Sequence, residues 1–160
     1  MASGFTALGI LLVLVQIRDV RRTRDAQITI DISRRWDEEP LVSARLKVNK
    51  LGTDQAVCSE ILSLQRRRSR EYYELLSEPN YFEDLGILCE SGALNRGMIR
   101  ESFGALVAKR YDRWKLAVDE LRKADADNYK HFEDLAEEMR TNKESWFRGL
   151  RRRLAARIAP

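Results

Sequence analysis

The sequence predicts an all-α protein: a helical bundle of about five helices after a short N-terminal hydrophobic helix, with an amphipathic basic C-terminal helix. Three observations predict it. Only 8 Gly and 3 Pro stand against 34% charged residues, which favours long helices with few, sharp breaks. Apolar residues recur every three or four positions over most of the chain. The breaks themselves, at Pro40, Gly52, Pro79 and Gly92, are where helices start or stop. With 160 residues and 44% hydrophobic content, one ordinary core is expected. Cys58 and Cys89 have no close partner cysteine and the chain has a single histidine, which argues against a disulfide framework or a zinc site. A reducing, cytosolic setting fits that cysteine usage.

The first element is "ASGFTALGILLVLVQI", Ala2 to Ile17, uncharged and followed by Arg18, Arg21, Arg22 and Arg24. As a helix it reaches roughly 24 Å, short of a hydrocarbon core of about 30 Å. Its apolar residues Phe5, Leu8, Ile10, Leu11, Leu12, Val13, Leu14 and Val15 are read as a membrane anchor. A cleaved signal would carry its positive charge before the apolar run and small residues after it, and a core helix of a soluble protein is the other alternative. The trailing arginines predict a single pass through the inner (cytoplasmic) membrane with the folded part in the cytoplasm. The expected organisation is therefore an anchor over 1–17, a helical domain over 18–140 and a basic tail over 141–160.

Ile28, Ile30 and Ile32 alternate like a strand, while Ile28, Ile32 and Trp36 have helical spacing. Helix is the expectation, because a strand here has no second strand to pair with. After Pro40, Leu41, Ala44, Val48 and Leu51 share a face, with Arg45 beside them. Thr53 or Asp54 can cap a next helix carrying Val57, Ile61 and Leu64, and extending to Tyr72 and Leu75. Arg66, Arg67, Arg68 and Arg70 interrupt it and read as a solvated face bordering a membrane or partner. Pro79 is expected in the first turn of a helix carrying Tyr81, Phe82, Leu85, Leu88 and Cys89. Asn95 can cap a long helix with Ile99, Phe103, Leu106, Tyr111, Trp114, Val118 and Leu121 in one stripe. Asp125 or Asp127 can cap a last one with Tyr129, Phe132, Leu135, Ala136 and Met139.

"YFEDLG" at Tyr81–Gly86 returns as "HFEDLA" at His131–Ala136. Phe and Leu of each copy stand three apart and face inward together, which places Asp84 and Asp134 in water and Glu83 and Glu133 on the flanks. A carboxylate-bridged metal site would need Glu-x-x-His pairs, and Asn128 stands three before His131. No nucleophile–base set and no glycine-rich phosphate loop can be assembled, so no catalytic residue, metal ligand, cofactor or small-molecule substrate is expected, and the protein reads as no enzyme. Glu83 and Glu133 are instead candidate structural ion-pair partners for Arg45, Arg110 and Arg113.

"SARLKVNKL", "NYFEDLGILCESGALNRGMIRESFG", "YDRWKLAVDELRK" and "NYKHFEDLAEEMR" occur in an order that resembles a family of small bacterial and prophage proteins known only as a domain of unknown function. The likeness runs from about Phe5 to Arg140 and includes Phe82-Glu83 followed by Gly92. It implies a membrane helix, a basic stretch and a helical soluble part. It implies no activity and no cofactor.

In the tail, Trp146, Leu150, Leu154 and Ile158 are spaced by four, among Arg148, Arg151, Arg152, Arg153 and Arg157. Such a helix suits an anionic surface, each arginine contributing on the order of 1 kcal/mol. Trp146 and those arginines are the predicted anionic-surface binding residues. The expected function is thus that of a membrane-tethered, non-enzymatic protein acting through lipid or protein contacts. The alternative is a soluble nucleic-acid binder using its two arginine clusters.

Overall fold

The computed structural model describes the backbone over residues 3–141, and side chains there except for 3–12, 14, 21 and 22. Among the described residues every regular element is a helix. The chain divides into two compact units, residues 1–37 and 38–160.

The first unit is a helix, α1, spanning Ser3–Trp36. The apolar run and the isoleucine-rich segment after it are therefore continuous, and helix wins over strand at Ile28–Ile32. A lone helix satisfies its own backbone, as a lone strand cannot. Thr23, Thr29 and Ser33 donate their hydroxyls to the carbonyls of Asp19, Asp25 and Thr29, at 3.0, 2.9 and 2.9 Å, so these poor helix formers leave no donor unspent.

In the second unit, α2 (Leu41–Leu51), α3 (Asp54–Arg67), α4 (Arg70–Glu90), α5 (Arg96–Leu121) and a last helix, α6, over 130–141 surround one core. α2 packs mainly on α4, and α3 on α5. Thr53 caps α3 by accepting from the Ala56 amide at 3.2 Å, and Asn95 caps α5 by accepting from Gly97 and Met98. Gly52 and Gly92 take positive φ, 80° and 72°, as the helix-ending role requires.

Two expectations are corrected here. Pro79 does not open a helix but lies inside α4, where it is buried with Leu75, Leu76, Tyr81 and Phe82 around it in sequence. The core contacts of that face offset the roughly 3 kcal/mol that an interior proline costs. The break falls earlier, where Arg68 adopts φ 50° and ends α3, so Tyr72 and Leu75 belong to α4. On α5 the stripe runs through Val107, fully buried, while Leu106 is only half-buried.

The aromatic centre answers the repeated tetrapeptide. Phe82 and Phe132 stack on each other, centroids 4.9 Å apart and planes 14° apart, and Tyr111 meets Phe132 edge-on at 5.1 Å. Leu85 and Leu135 are buried beside them in their own helices, and Asp84 and Asp134 are exposed.

Among the described residues two charged side chains are buried, Glu78 and Arg110. Glu78 is fully buried and accepts from Arg110 Nε and Trp114 Nε1 at one oxygen, the latter at 3.1 Å, and from Arg110 Nη2 at 2.6 Å at the other. Arg110 Nη1 continues to Asn49 Oδ1 at 2.7 Å, which ties α2, α4 and α5 together. Glu78→Ala is expected to cost about 3–5 kcal/mol, because it strands the buried guanidinium. Glu78→Leu with Arg110→Met should recover most of that, less about 1–3 kcal/mol for the indole N–H left without an acceptor. Urea unfolding of the two variants checks both figures.

Candidate functional site

Polar side chains concentrate at the seam between α4 and the start of α6. The seam exists because Gly86 has no side chain: a Cβ there would lie 2.5 Å from the His131 carbonyl oxygen and 2.7 Å from its carbon. Ala136, at the matching place after the second tetrapeptide, is fully buried.

With the helices this close, Glu83 reaches from α4 to the exposed end of α6. Its Oε1 accepts from the His131 amide at 3.2 Å and its Oε2 from the Phe132 amide at 2.7 Å. A carboxylate at a helix N-terminus meets both unsatisfied amides and the positive end of the dipole. The cap of α6 is thus Glu83, from another helix, and not Asp125 or Asp127. Asp125 instead accepts from the Asp127 amide at 3.1 Å, within the connecting turn.

Glu133 secures the same connection from the other side. It accepts from the Tyr111 hydroxyl and from Arg122 Nη1. Arg122 in turn donates to the carbonyls of Asn128 at 2.8 Å and Tyr129 at 3.1 Å. Burial disfavours the ionised Glu133, but the Tyr111 hydroxyl and Arg122 outweigh it and lower its pKa below the ordinary 4.5.

His131 bridges two turns of α4. Nδ1 is 2.7 Å from Glu83 Oε1 and Nε2 is 3.0 Å from Glu90 Oε2. A ring with a carboxylate at each nitrogen is best served by two protons. The hydrogen bond to Glu83 raises its pKa above 6.5 against a smaller opposing effect of burial, with Glu83, Glu90 and Asp134 adding negative charge. A cavity of about 230 Å³ opens here, lined by Gly86, Cys89, Arg96, His131, Asp134 and Glu138 among others. Arg96 and Arg100 both hold Glu138 at 2.9 Å, and Arg96 Nε also donates to the Cys89 carbonyl.

His131 therefore keeps its second proton to a higher pH than a free imidazole does. The Cys89 thiol is buried, which pushes its pKa up to about 11. Among the described residues no group of His, Cys, Asp and Glu is arranged to hold a metal ion.

Of the candidate ion-pair residues, Glu83 caps α6 and pairs with His131, and Glu133 pairs with Arg122. Arg45 is half-buried on α2 and Arg113 half-buried on α5, and among the described residues no salt bridge involves Arg113. Arg110 serves Glu78 instead of either tetrapeptide glutamate. Of the anchor residues, Val13 and Val15 are exposed on α1. The side chains of Phe5, Leu8, Ile10, Leu11, Leu12 and Leu14 lie outside the described set, as do Trp146, Arg148, Arg151, Arg152, Arg153 and Arg157 altogether. Sequence reasoning missed Glu78, Arg122 and the role of His131. Glu78 carried a signal, being the acid on the stripe Leu75, Phe82 and Leu85.

Two outcomes are expected. Because the His131 pKa is raised by folding, its contribution to stability is complete below pH 6.5 and is lost as pH rises through the folded value. The Glu133 contribution is lost as pH falls below 4.5. Thermal melts should therefore decline as pH rises above 6.5, and His131→Gln should flatten that limb while leaving the acid limb in place. Gly86→Ala should destabilise by about 1–3 kcal/mol or more, since backbone must move, and denaturant titration reads it directly.

No curated protein and no solved structure matches the chain. The family model described as Domain of unknown function (DUF4760) matches residues 3–139, and the chain belongs to that family.

Proposed function

We propose that this is a non-enzymatic helical protein that attaches to a membrane through the first half of α1 and acts through protein or membrane-surface contacts. One observation carries the reading. Val13, Ile17 and Val20 stand at i, i+4 and i+7 of α1 and are 53%, 44% and 68% exposed. Val13 and Ile17 belong to a run without charge from Ala2 to Ile17, and arginines at 18, 21, 22 and 24 follow it. Apolar side chains left in water beside basic ones are what a bilayer interface accepts.

No helix among the described residues is long and apolar enough to cross a membrane. Attachment by lying in the interface suits the stripe better than a full crossing, and the arginines favour the cytoplasmic leaflet. The absence of catalysis is inferred from the seam: His131 has both ring nitrogens engaged by carboxylates, and Cys89 is a buried, protonated thiol.

Cell fractionation of the full chain and of a chain lacking residues 2–17 tests the reading. The full chain should stay with the membrane pellet through a high-salt wash and leave it in detergent, while the shortened chain moves to the supernatant. A full chain found in the supernatant before any wash sinks it.

A further inference from the structure

Five arginines of the second unit are paired with carboxylates. Arg96 and Arg100 are paired with Glu138, Arg110 with Glu78, Arg122 with Glu133 and Arg140 with Asp112. Arg66, Arg67 and Arg68, by contrast, have no salt bridge among the described residues, although they stand together at the corner between α3 and α4. Arg70 follows at once and shares its charge with Glu74, four residues on. Carboxylates neutralise those five, while the three exposed arginines of the corner stand together without one.

The local structure holds that charge outward. Arg66 Nε donates to the Leu62 carbonyl at 3.2 Å and Arg67 Nη2 to Ser63 Oγ at 2.6 Å, so each spends one donor on its own helix and keeps the others. Arg68 turns the chain with φ 50°, and Gln65, Arg66, Arg67, Arg68, Arg70 and Glu71 are all exposed. α4 then begins without a side-chain cap: Ser69 makes no capping bond, and its Oγ is buried without a hydrogen-bond partner. The positive end of a 21-residue helix adds to the arginines. Tyr73, one turn after Arg70, is 69% exposed.

We propose that this corner, Arg66, Arg67, Arg68 and Arg70 with Tyr73, is a contact surface for the anionic phosphate headgroups of a lipid bilayer. The proposal rests on the membrane reading above and adds the surface by which the folded unit itself meets the headgroups. Guanidinium groups hydrogen-bond phosphate, and a tyrosine suits the level of the headgroups. A single-stranded nucleic acid would want a groove with ring faces open for stacking. Here the Tyr73 ring meets Tyr72 edge-on, centroids 5.2 Å and planes 76° apart, so the two rings offer no parallel faces for successive bases.

The test uses the full chain and vesicles of phosphatidylcholine alone or mixed with phosphatidylserine. Arg66→Gln, Arg67→Gln and Arg68→Gly are combined in one variant. Glycine is chosen at 68 because it accepts positive φ, and circular dichroism with a thermal melt verifies folding. A second variant carries Arg151→Gln, Arg152→Gln and Arg153→Gln, so that the tail is measured separately. The corner variant should bind serine-containing vesicles about tenfold more weakly at low salt, a loss that shrinks as salt rises, with phosphatidylcholine binding unchanged. Equal affinity of corner variant and unaltered chain for the anionic vesicles overturns the corner while the membrane reading stands. Failure of the unaltered chain to bind either vesicle overturns both. A corner variant that loses affinity for single-stranded DNA and keeps it for anionic vesicles overturns the lipid assignment in favour of nucleic acid.

Discussion

The close approach of α6 to α4 at Gly86 is the constraint from which the rest of the folded unit follows. Without it Phe82 and Phe132 could not stack at 4.9 Å, and Glu83 could not reach two amides of another helix. The approach is itself held by what it permits. Aromatic stacking adds about 0.5–1.5 kcal/mol beyond the area it buries, and an ionised helix cap contributes on a similar scale. Removing the space at Gly86 therefore disturbs a packing contact and a capping contact together. Their joint dependence on one backbone position makes the seam cooperative rather than a sum of separate bonds.

Helix existence was legible in the sequence because it depends on spacing within one segment. The stripes of α2 and α3, the caps at Thr53 and Asn95 and the inward pairs Phe82–Leu85 and Phe132–Leu135 are all of that kind. The family resemblance, by motif order, agrees with the family to which the chain belongs. Where the reading went astray, the deciding interaction was long-range. Pro79 is tolerated because the rest of the fold covers that part of α4, and nothing within a few residues of it announces such cover. The cap of α6 lies some fifty positions away at Glu83, so the nearby Asp125 and Asp127 were the natural but mistaken choices. Arg110 shows the same limit. Its burial could be suspected from the stripe around it, but the choice of Glu78 over Glu83 or Glu133 depends on how α4 lies against α5.

The acidic residues of the second unit are placed by a division of labour that charge counts alone conceal. Glu78 is surrounded by core and has a complete set of donors, which keeps an ionised pair tolerable away from water. Glu83 and Glu133 are half-buried and each spans two elements, where a carboxylate can accept several bonds and remain partly hydrated. Asp84 and Asp134 are exposed. One tetrapeptide therefore contains a residue that organises a connection and, next to it, a residue in water. The difference arises only from the 100° that separates neighbours on a helix.

That geometry bears on why an exact repeat need not mean a shared chemical task. Phe-Glu-Asp-Leu fixes which side of a helix is oily and hence which way its glutamate leans. It does not fix what the glutamate meets. On α4 the lean brings Glu83 to backbone amides and an imidazole, whereas on α6 it brings Glu133 to a phenol and a guanidinium. Glu83 caps the start of α6, while Glu133 holds Arg122, which donates to the Asn128 and Tyr129 carbonyls just before that start. Two side chains attached beside a stacked pair are held near one another, and here they act on neighbouring residues at the start of α6. The repetition is thus a consequence of pairing two helices face to face, and its product is a locked turn.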